Sequence, residues 1–170
     1  MGAENQQERL WHCGWIAGFV DGEGCFSCPI FRNRTAALGW QVQPEFTVVQ
    51  SARSRHVLEE LAEIFGCGHV SDNRRQDNHR TELSRFRVTR FSEPRDVIVP
   101  FFQTHQLRTS KRNDFEKFAD IVGLMQVGTH RTLAGIERIA EITETMNRCQ
   151  PSNVKRILRD HTPTISLYPR

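Results

Sequence analysis

Ile16-Ala17-Gly18-Phe19-Val20-Asp21-Gly22-Glu23-Gly24 is the stretch on which the reading of this chain turns. It closes a helical pattern that begins at Glu8: Leu10, Trp11, Trp15, Ile16 and Phe19 fall into apolar rows at i, i+4 and i+8, which predicts a helix over Glu8–Val20. A second row on the same helix is Gly14, Gly18 and Gly22. Glycine inside a helix costs roughly 1 kcal/mol against alanine, so three at four-residue intervals imply a purpose. A ridge without side chains lets another helix approach at backbone distance. The helix must stop at Asp21-Gly22-Glu23-Gly24, which leaves two carboxylates at its end.

Outward from this stretch, Cys25–Asn33 and Gly39–Gln50 read as strands. In the second, Trp40, Val42, Phe46 and Val48 share one face with Pro44, while Gln41, Gln43, Glu45, Thr47 and Val49 share the other. His56–Phe65 is predicted helical, with Val57, Leu58, Leu61, Ile64 and Phe65 inward and Gly66 as its stop. Strands follow at His69–Asn73 and Leu83–Phe91, joined by the polar turn Arg74–Arg80; Phe86 and Val88 face the core, Arg85 and Arg87 the other way. Helices are expected at Asp96–Gln103, Asn113–Met125, Thr132–Asn147 and Ser152–Arg159. The order α-β-β-α-β-β-α-α-α predicts an α+β fold: a four-stranded antiparallel sheet with helices on one face. One domain over 1–161 and a loose tail over 162–170 complete the expectation.

Composition excludes several classes. Of the 170 residues 25% are charged and 38% apolar, an ordinary globular balance. No apolar run is long enough to span a membrane, and Met1–Leu10 is polar with two glutamates, unlike a secretory signal. Gln6 stands where myristoylation wants Ser or Thr. The expected location is therefore intracellular, in a bacterial cytoplasm, with an organellar origin as the alternative. Net charge is +3, but 20 of the 23 basic residues are Arg, whose planar fork suits phosphate and guanine. Arg codon bias predicts the same count. Charge is also uneven, with seven Arg against four acids over His69–Arg95. Cys13, Cys25, Cys28, Cys67 and Cys149 read as free thiols, because the lone Cys25-x-x-Cys28 has no second ligand pair.

The opening nonapeptide resembles the signature of the LAGLIDADG homing endonucleases: Ala17, Gly18, Asp21 and Gly24 match its letters, and Ile16, Phe19, Val20, Gly22 and Glu23 are conservative variants. The resemblance extends through Phe46–Gln50, the helix and glycine turn Leu58–Val70, the basic turn and helix Leu107–Val122, and the late helix His130–Asn147. A second run, Leu133-Ala134-Gly135, begins like the signature but carries Ala140 where the carboxylate belongs, and reads as an ordinary amphipathic helix. One signature implies a homodimer whose signature helices cross at Gly14, Gly18 and Gly22. Asp21 is then a helix-end and interface cap, and both copies of Glu23 lie at the dyad.

The resemblance implies a magnesium-dependent endonuclease (Mn²⁺ or Ca²⁺ being able to occupy the same site) that cuts double-stranded DNA at a pseudo-palindromic intron or intein insertion site. Glu23 and the Gly22 carbonyl are the implied metal ligands, and Gln50 positions the attacking water. Lys111 is the basic residue at the scissile phosphate, with Arg108 and Arg112 as alternatives because the register of the preceding turn shifts. A second basic residue is expected near Arg53 and Arg55. The polar sheet face is the expected DNA reader: Ser27, Asn33, Gln41, Gln43, Thr47, Ser71, Asn73, Arg75, Arg85 and Arg87, with Arg53 beside it. Pro29 and Phe31 fit sugars or thymine methyls, and Arg148, Lys155, Arg156 and Arg159 flanking phosphates. The rival readings are an intron-splicing maturase that binds its own intron RNA and a non-catalytic DNA-binding regulator.

Overall fold

The computed structural model describes residues 3–73 and 82–147. Helix α1 spans Ala3–Glu23 and runs straight into strand β1, Gly24–Ser27. The junction needs glycine: a Cβ on Gly24 would lie 2.6 Å from the Val20 side chain and 2.8 Å from the Val20 carbonyl. β2 (Ile30–Arg32), β3 (Trp40–Val42) and β4 (Glu45–Ser51) follow, then a short 3₁₀ turn and α2 (Arg55–Phe65). Gly66 ends α2 in the left-handed conformation, φ 62°. β5 (His69–Asp72), β6 (Leu83–Val88), a π-helical turn at Pro94–Ile98, α3 (Val99–Thr104), α4 (Lys111–Gln126) and α5 (Leu133–Thr143) complete the order.

Four strands form one antiparallel sheet in the order β1-β4-β6-β5. β2 and β3 do not extend it; they form a separate two-stranded hairpin. The two long strands expected at Cys25–Asn33 and Gly39–Gln50 are thus each broken in two. Both breaks fall at proline, Pro29 and Pro44, which has no N–H for a ladder. The breaks sit side by side, and the Gln43 amide donates to the Pro29 carbonyl at 3.1 Å. A hairpin can therefore leave the sheet without orphaning both strands.

One sheet face is core. Phe26, Phe46, Val48, Phe86 and Val88 are fully buried on it, beneath Leu58 and Leu61 of α2, Phe102 of α3 and Phe118 of α4. The Phe26 ring lies 5.0 Å from Phe46 and 5.3–5.5 Å from Phe102, Phe115 and Phe118, so one residue ties β1 to β4, α3 and α4. Burial of each such ring contributes about 1.5–3 kcal/mol, and each edge or offset pair about 0.5–1.5 kcal/mol beyond that.

α1 is attached to this core by a narrow stripe. Ile16 and Val20 are fully buried, and Trp15 and Phe19 stack on each other, half-buried, at 5.3 Å. Leu10 and Trp11 do not join them; they are 61% and 66% exposed. Gly14, Gly18 and Gly22 are exposed too, and nothing described lies within 4 Å of the Cβ that a side chain would add at any of them. The glycine ridge serves no packing within the described chain.

The late helix is the amphipathic one expected, with Ile136, Ile139 and Ala140 buried. Its Leu-Ala-Gly start has a local cause. A Cβ on Gly135 would lie 1.8 Å from the Thr129 carbonyl oxygen, while Thr132 caps the helix by accepting from the Gly135 amide. The expected helix Ser152–Arg159, the tail 162–170, Arg75, Arg148, Lys155, Arg156, Arg159 and Cys149 lie outside the described residues.

Candidate active site and nucleic-acid face

The helix α1 ends at Glu23, not at Val20, because Asp21, Gly22 and Glu23 complete its last turn. Glu23 is exposed and enters no hydrogen bond or ion pair among the described residues. The carbonyls of its two neighbours, by contrast, are occupied. Lys111, the first residue of α4, donates from Nζ to the Gly22 carbonyl at 3.2 Å and to the Gly24 carbonyl. The ammonium therefore spans the helix-to-strand junction on either side of Glu23. Of the three basic candidates, Lys111 is the one whose side chain stands at this junction. Arg112 is turned to Glu116 at 2.8 Å, and Arg108 is exposed and engaged through its backbone.

That engagement is with Asp21. Its carboxylate accepts from the Arg108 amide at 2.7 Å, from the Thr109 amide at 3.2 Å and from the Thr109 hydroxyl at 2.6 Å. Burial raises its pKa, but these bonds, helped by the charge of Lys111, outweigh that and hold the carboxyl below its ordinary range. Asp21, expected as a helix-end and interface cap, ties the end of α1 to the turn before α4 in its own chain. Thr109 is a site residue that the sequence reading missed. The available signal was a Thr-Ser pair just before a helix, the composition of an N-cap.

Gln50 lies at the far end of β4, opposite Ser84 of β6 and two residues beyond the last β1–β4 pair, Gly24 with Val48. Strand alternation puts it on the side of Phe46 and Val48, the α1 side, rather than on the outer face. Its amide has no hydrogen-bond partner among the described residues. The other side of this junction carries Cys25, whose thiol is pushed up by burial, partly offset by Lys111 and reinforced by Asp114 and Glu45. Asn147, in the left-handed region at φ 54°, closes that edge: its amide donates to Asp114 at 2.7 Å and its Nδ2 to the Phe26 carbonyl at 3.1 Å.

The outer sheet face holds two rows in register: Cys25–Thr47–Arg87–His69 and Val49–Arg85–Ser71. Ser27 lies opposite Glu45. Arg87 pairs with Glu45, yet its Nε and that of Arg85 have no hydrogen-bond partner among the described residues. Ser71 and Asn73 are half-exposed on the β5 edge. Thr47 corrects the expectation: it is only 8% exposed, at a central position between Cys25 and Arg87, so it is covered as a reader. Asn33 and Gln41 are half-exposed on the hairpin, but Asn33 Nδ2 donates to Gln41 at 2.6 Å while its Oδ1 accepts from the Thr35 amide and hydroxyl. They brace the tip of the hairpin, whereas the half-buried Gln43 follows β3 at the open end, beside Pro29. Arg55 is held by Glu59, Asp72 and the Val70 carbonyl, whereas Arg53 is exposed and its side chain has no partner among the described residues. Of the two candidates for a second basic residue, Arg53 is the one whose side chain is unengaged among the described residues.

A family model described as LAGLIDADG endonuclease matches residues 16–122. The crystal structure of a homing endonuclease, I-TnaI, is 39% identical with a TM-score of 0.75, over 86% of this chain and 92% of that one. That of I-LtrWI, bound to its target DNA, is 34% identical with a TM-score of 0.72, over 81% of this chain and 44% of that one. A probable intron-encoded endonuclease of Neurospora crassa is 31% identical over 152 residues, 89% of this chain, which spans 32% of that protein's length. With relatives in Neurospora crassa and in Chlorella vulgaris, the expected bacterial origin finds no support. No described helix is long and apolar enough to cross a membrane. The signature helix ending in a carboxylate, the four-stranded sheet packed on one side and the match over 16–122 agree, and the chain belongs to the LAGLIDADG endonuclease family.

Proposed function

We propose that this chain is one half of a site-specific DNA endonuclease that hydrolyses both strands of a pseudo-palindromic intron or intein insertion site as a homodimer. Glu23 carries the reading: an uncommitted carboxylate at the end of a helix whose glycine face is bare, beside a lysine held on the flanking carbonyls. A two-fold crossing of α1 over Gly14, Gly18 and Gly22 puts the two Glu23 carboxylates together, and each half then acts on one strand. The intron-encoded endonuclease among its relatives supports the insertion-site target.

The donors fit a hard divalent cation such as Mg²⁺, Mn²⁺ or Ca²⁺, which takes carboxylate and carbonyl oxygen. No cluster of three or more His, Cys, Asp or Glu occurs among the described residues, so Glu23 needs the second copy, phosphate and water to complete a site. The Gly22 carbonyl is shared with Lys111, which leaves Glu23 as the free donor. When bound, a divalent ion supplies charge neutralisation at the phosphate and a more acidic water. Lys111 presents its ammonium to the phosphate that arrives beside Glu23. Gln50, with a free amide on the α1 side, orients a water by hydrogen bonding. Ser27, Gln41, Gln43, Ser71, Asn73, Arg85 and Arg87 face the bases, and Arg53 a backbone phosphate.

The test is Glu23→Gln on the uninterrupted junction of the gene that surrounds this reading frame. Cleavage is expected to fall by at least about a hundredfold, the order seen when a charge-stabilising group is removed, with DNA affinity retained. Undiminished cutting by the variant overturns the role given to Glu23, whereas a parent chain that binds this junction without cutting it leaves a binding protein, for DNA or for intron RNA.

A further inference from the structure

Lys111 reaches its two carbonyls from the first turn of α4, and the contact must be registered against the end of α1. Among the described residues a polar clamp does so. Asp21 sits on that end, 87–90 residues away in sequence, and gathers the Arg108 amide, the Thr109 amide and the Thr109 hydroxyl. Thr109 Oγ1 in turn accepts from the Lys111 amide at 3.2 Å. A continuous chain of hydrogen bonds therefore runs from the Asp21 carboxylate through Thr109 to the backbone of Lys111, and Lys111 Nζ closes the loop on Gly22 and Gly24.

We propose that Asp21, acting through the Thr109 hydroxyl, is the positioning residue that fixes where the Lys111 ammonium stands beside Glu23. The inference rests on the functional reading of Lys111 above, but its geometry can be tested without it. An acceptor that receives three donors from one turn defines the turn's place and its tilt, which a single bond does not. Losing it leaves α4 packed by Phe115 and Phe118 and frees only the first turn. Catalytic harm without unfolding is the expected signature.

With only three lysines in the chain, acetylation of each can be followed by mass spectrometry. Lys117, whose Nζ donates to the Thr145 carbonyl at 2.6 Å, is the internal control because it lies on the same helix but outside the clamp. In Asp21→Asn and in Thr109→Val, acetylation of Lys111 is expected to speed up about tenfold, the order for losing one charge-assisted hydrogen bond. Lys117 should stay unchanged and Thr109→Ser should restore the parent rate. Unchanged Lys111 reactivity in both variants overturns the proposal, and so does equal acceleration of Lys117, which would mean general loosening. Single-turnover cleavage supplies a second arm. Asp21→Asn should slow cutting with DNA affinity kept, and should cost nothing more in a Lys111→Met background; an equal loss in both backgrounds overturns the proposal. If the parent cuts no DNA, the functional reading fails while the acetylation arm still decides the positioning.

Discussion

Replacing Gly14 and Gly18 together by alanine separates what the glycine ridge does for one chain from what it does for two. Both sit in the interior of α1, and nothing described lies within 4 Å of either added Cβ. In a lone chain only helix propensity acts, which favours alanine by about 0.8–1.0 kcal/mol per site, so the double variant should gain about 2 kcal/mol. Across a two-fold crossing each substitution adds a methyl group from both helices. Overpacking costs about 1–3 kcal/mol per contact, or about 2–6 kcal/mol for two, which weakens dimerisation by roughly 30-fold to more than 10⁴-fold. Sedimentation velocity reads the dimer constant, and urea unfolding at dilute protein reads the stability of the monomer. The expected pair of results is a tougher monomer that no longer dimerises and no longer cuts. A double variant that dimerises and cleaves like the parent refutes the crossing.

Two further outcomes follow from positions whose surroundings differ. Gly135→Ala should behave oppositely to the ridge glycines, because its Cβ would lie 1.8 Å from the Thr129 carbonyl. A loss of about 1–3 kcal/mol is expected, seen as a fall in Tm, and a gain would show that α5 shifts freely. Burial pushes the Cys28 thiol up to about 12, partly offset by the bond from the Gln43 amide. Below about pH 9 the thiol is neutral folded and unfolded, whereas above it only the unfolded thiol ionises, so stability is lost as pH rises toward 12. Urea unfolding at pH 8 and pH 10 should show about 1.4 kcal/mol of this loss, absent in Cys28→Ala; an equal pH slope in the variant refutes it.

Much of the fold was legible because it rests on short-range periodicity. Ile16 in the α1 rows, the alternation of Phe46 and Val48, and that of Phe86 and Val88 all mark the core side wherever the partners lie, although the rows left out the equally buried Val20. The break of the first two strands was legible too, in Pro29 and Pro44, but the alternation on either side of each proline ran through it. Trp11 and Leu10 show the opposite limit: a helical row says what shares a face, not whether anything covers it.

The candidate site divides along the same line. Glu23 and the glycine row were determined by the sequence, since a helix that carries glycine every fourth residue and ends in a carboxylate has one geometry however the rest folds; that nothing described covers the row is a tertiary result. Which basic residue stands beside Glu23, which arginine is left free, and which polar residues brace a hairpin were decided only by tertiary structure. Lys111 meets Gly22 across 89 positions, and Arg55 meets Asp72 across 17. Long polar side chains take their partners from whatever the packed core brings near, and that distance in space has no counterpart in a local pattern.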